Sequence, residues 1–281
     1  MARKIIFLIV LFNKNINEST TIKTLLNSNI TEVDVIIHNN GPDEILLPLD
    51  FFDVFRSRAI NVELVNYIQN KPLSILYNEF IFSNPHYDKY ILFDDDSVIT
   101  SSFVEQIYIS DYDVLLPKIT SSKDNETYYP IVNDVVVTGD KFLSVEGVFS
   151  IGSGLILTRT LIDKFFKYSL KPFDENFALY GVDFSLFRRM NILAAKRETF
   201  KVKTAGEILH SLSRTEGDES KFRREERLID FSLTTRHYPS FTQVYRFVKK
   251  SIKEILFLRF RNFYVMYDSL LHGTHPRCRQ K

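Results

Sequence analysis

The sequence predicts an α/β fold, with a mainly parallel sheet and crossover helices in its N-terminal part and a helical extension at its C-terminus. Three observations carry this reading. Strand-like runs alternate with helix-like segments over roughly the first hundred residues. Ile5 to Phe12, Val33 to His38 and Tyr90 to Phe93 are short apolar runs of the kind that form strands buried on both faces. One of these runs ends in three consecutive carboxylates, Asp94, Asp95 and Asp96, and open α/β sheets bind ligands just beyond the carboxyl ends of such strands.

Composition sets the limits. A chain of 281 residues with 44% hydrophobic and 14% aromatic side chains can bury a sizeable core, which excludes wholesale disorder. One core with an extension is the expected organisation, with a first domain over 1–215 and an extension over 216–281. A single cysteine, Cys278, excludes an internal disulfide and fits a reducing, cytoplasmic setting. Met1-Ala2-Arg3-Lys4 before Ile5 to Phe12 imitates a signal peptide. Asn13-Lys14-Asn15 follows instead of a small-residue cleavage site, so a first buried strand is expected.

The elements follow in order. After the strand Ile5 to Phe12, Ser19-Thr20-Thr21 can cap a helix running to about Asn27. Val33 to His38 is a second strand ending in the turn Asn39-Asn40-Gly41-Pro42-Asp43, and Ile60 to Val65 a third. Pro72 to Phe82 reads as a helix with Leu73, Leu76, Tyr77 and Phe80 on one face, and it leads to the strand that ends in the acidic triplet. The middle of the chain gives short strands at Tyr112 to Pro117, Tyr128 to Val132 and Asp134 to Val137. An apolar strand from Val148 to Leu157, interrupted by Gly152-Ser153-Gly154, and a helix from Arg159 to Tyr168 come next. Phe173 to Asp183 is an acidic, aromatic, glycine-bearing segment opening a helix from Phe184 to Met190.

Three carboxylates closing an apolar run are costly unless a cation sits among them, and hard oxygen donors suit Mg²⁺ or Mn²⁺. The plainer alternative is a solvated acidic turn whose Ser97 caps the next helix. Asp183, at the start of a helix beside Tyr180 and Gly181, fits either an N-cap or a general base.

Taken together these residues resemble family 2 glycosyltransferases of the GT-A fold, a Rossmann-like half with a mixed central sheet, and within them the bacterial O-antigen and capsular type that includes the rhamnosyltransferases. The resemblance covers roughly Lys4 to Ser213. Asn13 after the first strand and the Asn39-Asn40 turn sit where that family reads the nucleotide base, and Asn70 to Asn78 keeps the spacing of its asparagine motif, with Pro72 in place of the usual glycine. Asp94-Asp95-Asp96 matches its metal-binding Asp-x-Asp, Ser153-Gly154 its Ser-Gly pair beneath the sugar and acceptor region, and Phe177 to Asp183 its aromatic segment ending in the catalytic aspartate. Ser185 stands where the family usually carries a glutamate.

The resemblance implies a sugar transfer from a UDP- or dTDP-sugar to a lipid-linked or oligosaccharide acceptor in bacterial surface polysaccharide synthesis, with inversion at the anomeric carbon. Asp94, Asp96 and His210 would hold Mn²⁺ or Mg²⁺, Asp95 would contact the ribose, Asp183 would be the base, and Ser153, Gly154, Tyr180 and Gly181 would line the sugar and acceptor region. Two other readings stay open: a haloacid-dehalogenase-like phosphatase using Asp94 and Asp96, and a nucleotide-sugar-binding module without catalysis.

The tail carries its own signal. From Val244 to Lys281 there are nine basic residues (Arg246, Lys249, Lys250, Lys253, Arg259, Arg261, Arg277, Arg279 and Lys281) against Glu254 and Asp268. A helical pattern over Phe241 to Leu271 places Phe247, Ile252, Ile255, Leu256, Phe260, Phe263, Val265 and Tyr267 among them. Such interleaving suits contact with the inner face of the cell membrane, and equally a helix pair packed on the fold with its charges solvated. Nucleic-acid binding draws on similar ingredients and has no other support here.

Overall fold

In the computed structural model, residues 4–212 and 220–279 are described. The N-terminal strands and helices are β1 (Ile5–Leu11), α1 (Thr20–Asn27), β2 (Asp34–Asn39), α2 (Leu49–Arg56), β3 (Asn61–Asn66), α3 (Leu73–Ser83), β4 (Lys89–Asp94), β5 (Ser97–Ile99) and α4 (Ser101–Ile107). The middle region contains β6 (Val114–Ser121), β7 (Thr127–Tyr129), β8 (Ile131–Val132), β9 (Val135–Val136), β10 (Lys141–Leu143), β11 (Val148–Phe149), β12 (Leu155–Thr158) and α5 (Arg159–Lys167). It is followed by α6 (Val182–Ala195) and β13 (Val202–His210), then by α7 (Lys221–His237), α8 (Phe241–Leu256), α9 (Phe260–His272) and α10 (Pro276–Arg279).

The main sheet runs β10-β13-β6-β12-β4-β1-β2-β3, with β5 paired to β13 and β7 to β6. β1, β2, β3 and β4 are mutually parallel, β12 is antiparallel to both β4 and β6, and β13 runs parallel to β6. The sheet is therefore mixed, as expected. Its parallel half explains the unbroken apolar runs: all seven residues of β1 are buried, because both sheet faces are covered. From β1 the chain passes to β2 and β3 on one side and then to β4 on the other. That reversal of strand order opens a crevice at the carboxyl ends of β1 and β4.

Local chemistry fixes the elements near this crevice. Ser19 caps α1 by accepting the Ile22 N–H (3.2 Å). The expected role of Ser97 as a helix cap is not what is found. Ser97 begins β5, and Thr100 caps α4 instead, accepting the Phe103 N–H at 3.3 Å. The run Val148 to Leu157 forms two strands rather than one, since the chain turns at Gly152-Ser153-Gly154 and β11 joins a separate three-stranded sheet with β8 and β9. α6 begins at Val182, so Asp183 lies in its first turn rather than at a cap before Phe184.

The described residues fall into two compact units. One comprises 4–70, 80–171 and 189–212 and contains both sheets; the other comprises 71–79, 172–188 and 220–279. Within the second unit, α7, α8 and α9 pack around Leu228, Phe247 and Met266, with Phe231, Val265 and Leu270 against them. The helical stretch expected over Phe241 to Leu271 is thus two helices. The chain breaks between them at Phe257-Leu258-Arg259, where Leu258 has φ +53°. Among the described residues no helix is long and apolar enough to cross a membrane.

Candidate active site

The acidic triplet sits where the crevice opens. β4 ends at Asp94, Asp95 and Asp96 form a turn, and Ser97 starts β5. β5 pairs antiparallel with β13 in a register that sets His210 opposite Ser97, and this pairing carries an imidazole from more than a hundred residues away to the acidic turn. His210 Nε2 lies 3.9 Å from Asp94 Oδ2, and its Nδ1 lies 3.1 Å from Asp96 Oδ1. One ligand atom from each of the three residues falls within 4.8 Å of the others. Among the described residues no other group of three or more His, Cys, Asp or Glu side chains converges in this way.

The donor set fits a divalent cation. Asp96 Oδ1 is buried and, despite the nearby imidazole, receives no hydrogen bond; an orphaned buried carboxylate oxygen is costly unless a cation completes it. Burial pushes the Asp96 carboxyl up to about 6, with the charges of Asp94 and Asp95 adding to the shift and His210 and Lys14 opposing it. Asp94 keeps 41% of its side chain open at the crevice, yet dense protein around it still raises its pKa, helped by Asp95 and opposed by His210. Two carboxyls that burial holds back from ionisation, beside an imidazole, are the pattern expected of an oxygen-rich metal site.

A hydrogen-bond network holds this turn rigid. Ser97 Oγ is 3.0 Å from His210 Nδ1 and 2.6 Å from Ser153 Oγ, and Ser153 Oγ accepts the Asp94 N–H at 3.1 Å. From α1, Ser19 Oγ donates to the Asp95 carbonyl (2.9 Å) and Thr21 Oγ1 to the Asp94 carbonyl (2.5 Å), while Thr21 Oγ1 accepts the Ser97 N–H (2.9 Å). Ser153 is fully buried behind the turn. Gly154 has φ +76° and donates its N–H to the Leu92 carbonyl (2.8 Å); a Cβ there would lie 2.7 Å from Pro117 Cγ and 2.9 Å from Ile208 Cδ1.

Asp95 points elsewhere. Its strand has already ended, so strand alternation does not set its direction, and Lys14 Nζ holds its Oδ1 at 2.6 Å. Lys14 follows the carboxyl end of β1 and was not singled out by sequence; only the β1 and β4 pairing brings it to the triplet. Ser19 and Thr21 were legible as helix caps but not as clamps on the acidic turn.

The asparagines expected to read a base gather at the same end of the sheet. Asn13, with φ +54°, donates its N–H to the Gly41 carbonyl at 2.7 Å. Asn39 is buried; its Nδ2 donates to the Asp43 carbonyl and to Asn66 Oδ1, both at 2.7 Å, and its Oδ1 accepts the Gly41 N–H at 3.1 Å. Asn70, with φ +51°, accepts from Asn40 Nδ2 at 3.3 Å. Asn39 thus builds the loop from within, while Asn13 and Asn70 occupy its left-handed corners.

Asp183, Tyr180 and Gly181 belong to the second unit. Asn78 pins the segment before them, donating to the Phe173 carbonyl (2.8 Å) and accepting the Phe173 N–H (3.1 Å), and Leu73 N–H donates to the Ala178 carbonyl (2.8 Å). Gly181 has φ +79°, and a Cβ there would stand 2.1 Å from Asp230 Oδ1, so no other residue fits without displacing that carboxylate. The Arg227 guanidinium lies 5.6 Å from the centre of the Tyr180 ring. Ser185 is fully buried, donating to the Val182 carbonyl (2.6 Å) and accepting the Asp174 N–H (2.9 Å). In this chain it braces the first turn that carries Asp183.

No protein-family model and no characterised protein sequence matches this chain. Solved structures do. S. aureus TarS superposes with a TM-score of 0.54 at 10% identity over 98% of this chain and 50% of TarS. A TarS fragment, 1–349, in complex with UDP-GlcNAc gives 0.52 at 10% identity over 82% of this chain and 66% of the fragment. GalNAc-T7 with UDP, GalNAc and Mn²⁺ gives 0.51 at 11% identity over 88% and 54%. The chain therefore spans half the length of the full TarS structure it matches. At these identities the likeness is one of fold, and the fold is that of the GT-A glycosyltransferases.

Proposed function

We propose that this protein is a metal-dependent, inverting glycosyltransferase that transfers a sugar from a UDP- or dTDP-sugar to a lipid-linked or oligosaccharide acceptor in bacterial surface polysaccharide synthesis. The observation that carries this reading is the convergence of Asp94, Asp96 and His210 at the carboxyl end of β4, with an unsatisfied carboxylate oxygen among them. The fold shared with TarS and GalNAc-T7, whose structures hold UDP-GlcNAc and UDP with Mn²⁺, supports it.

Asp94, Asp96 and His210 are the residues that would hold Mn²⁺ or Mg²⁺. What such a cation supplies is neutralisation of the charge that builds on a diphosphate leaving group. Lys14, paired to Asp95, keeps that carboxylate in place beside the ribose, and Asn13, Asn39 and Asn70 shape the loop that receives the base. Asp183 takes the proton of the acceptor hydroxyl as its oxygen attacks the anomeric carbon. The bond from that carbon to the phosphate oxygen breaks, and the nucleoside diphosphate leaves with the electron pair. One displacement from the opposite face inverts the centre. Ser153 and Gly154 support the acidic turn from behind, and Tyr180 and Gly181 frame the approach to Asp183.

A lipid-linked acceptor requires the protein to work at a membrane surface, on the cytoplasmic face where nucleotide sugars are available. The exposure of Phe241 (90%), Leu256 (74%) and Phe260 (61%) among basic residues supports that placement.

Asp183→Asn tests the assignment of the base. Transfer should fall by at least about a hundredfold, while the nucleotide affinity in Mn²⁺ stays at the wild-type value. A variant that transfers at the wild-type rate removes Asp183 from this role.

A further inference from the structure

α1 and α4 flank a cleft of about 540 Å³, within the range of small-molecule sites. Its inner part is apolar, with Ile99 of β5 and Val104 of α4. Beside them the Tyr108 ring is 43% exposed and held in place, since its hydroxyl donates to the Thr31 carbonyl (3.0 Å) and accepts the Thr31 N–H (3.1 Å). The cleft therefore offers a flat apolar surface that loses little freedom when a ligand covers it.

The rim is polar. Asn27 ends α1, Asn29 follows it, and Ser101 and Glu105 belong to α4. All four side chains are exposed, and among the described residues none of them makes a hydrogen bond or an ion pair. Thr24 and Ser28, deeper in the cleft, are already engaged. Thr24 Oγ1 accepts the Ile99 N–H (3.1 Å) and donates to the Thr21 carbonyl (3.2 Å), and Ser28 Oγ donates to the Leu25 carbonyl (2.7 Å). Among the described residues that line the cleft, Glu105 alone is charged. Arg58 meets Ser28 Oγ at 3.4 Å, but the Leu25, Leu26 and Ile30 carbonyls take its guanidinium and it does not line the cleft.

This lining disfavours most ligand classes. Phosphates and nucleotides need cations, and none lines the cleft. A hard metal ion needs several oxygen ligands, and one carboxylate is too few. A wholly apolar molecule would cover polar side chains without pairing them. A pyranose suits both parts. Its C–H face can lie on the apolar inner surface, and its hydroxyls, each donor and acceptor, can pair with two amides, a hydroxyl and a carboxylate.

We propose that the cleft between α1 and α4 binds a neutral sugar residue at a site separate from the acidic turn. Ser19 and Thr21 clamp that turn at the start of α1, whereas Asn27 and Asn29 lie at the other end of this eight-residue helix, about 12 Å away. The sugar is a unit of the glycan that the enzyme extends, an identity that rests on the transferase reading above.

Saturation-transfer NMR titrations of the whole protein with the methyl glycosides of glucose, galactose, N-acetylglucosamine and rhamnose test it. At least one should bind. Asn29→Ala with Glu105→Ala removes two side chains that bond to nothing in the protein, so the melting midpoint should hold while the affinity for that sugar falls by at least about tenfold, as for one hydrogen bond to a charged group. Asp183→Asn should leave the affinity as it is. Methyl glucuronide should bind more weakly than the bound neutral glycoside, because Glu105 repels its carboxylate. Absence of binding by all four glycosides, wild-type affinity in the double variant, an equal loss in Asp183→Asn, or tighter binding of the glucuronide would each overturn the site. The thermal shift with UDP and Mn²⁺ keeps the two readings apart. A nucleotide shift without glycoside binding sinks the cleft alone, and glycoside binding by a wild-type protein with no nucleotide shift sinks the transferase reading alone.

Discussion

His210 stands opposite Ser97 in the β5 and β13 pairing, with its Nδ1 3.0 Å from Ser97 Oγ. The same hydroxyl is 2.6 Å from Ser153 Oγ, which receives the Asp94 N–H. One serine therefore couples the orientation of the imidazole to the position of the strand end that carries the acids. A group that hydrogen-bonds a metal-binding histidine fixes its ring orientation and tautomer, and metal affinity depends on it.

Ser97→Ala should accordingly weaken Mn²⁺ binding by about 10- to 100-fold. Isothermal titration of Mn²⁺ into wild type and variant measures this directly. The fold should survive, because β5 keeps its backbone pairing.

Asp96→Asn should make the metal-free protein more stable at neutral pH. The Asp96 carboxyl is raised to about 6 in the folded state from 3.8, so the stability it contributes is complete below about pH 4 and is lost as pH rises through 6. The neutral amide removes that loss, worth on the order of 1–3 kcal/mol at pH 7. Melting curves of both proteins in chelator at pH 4 and pH 7 should show the variant gaining on wild type as pH rises.

Gly154→Ala should destabilise the protein by about 2–4 kcal/mol, since it combines a left-handed backbone with overpacking against Pro117 and Ile208. Denaturant midpoints with unchanged slopes would show it.

Phe247→Ala should cost about 3–5 kcal/mol, because it empties the centre of the helical unit between Leu228 and Met266. Protease sensitivity of residues in α8 and α9 reports the loss even if the sheet stays folded.

The parallel half of the sheet was legible because each strand is a continuous apolar run closed by turn residues, and Ser19 announces α1 at the right residue. α7 was not. Its first turns, Lys221 to Arg227, are nearly all charged, and its buried side includes Glu226, Ser232, Thr234 and Thr235, so no apolar period stands out. α2 was missed because Pro48 occupies its N-cap with no side-chain cap bond. At the site, the acidic triplet drew notice from local sequence alone. His210 did so only through a family resemblance, since the contact depends on a strand pairing with no local signature. Lys14 meets Asp95 for the same non-local reason and drew no notice.

Thermal unfolding with UDP, dTDP, GDP and CMP, each with Mn²⁺ or with chelator, tests the central claim most directly. A ligand at a hundred times its dissociation constant adds about 2.7 kcal/mol, enough to raise the midpoint by about 5–10 °C for a chain of this size. The account predicts a shift of that order for UDP or dTDP in Mn²⁺, absent in chelator and absent in Asp96→Ala. No shift with any of the four in Mn²⁺, or an equal shift in chelator, would contradict it.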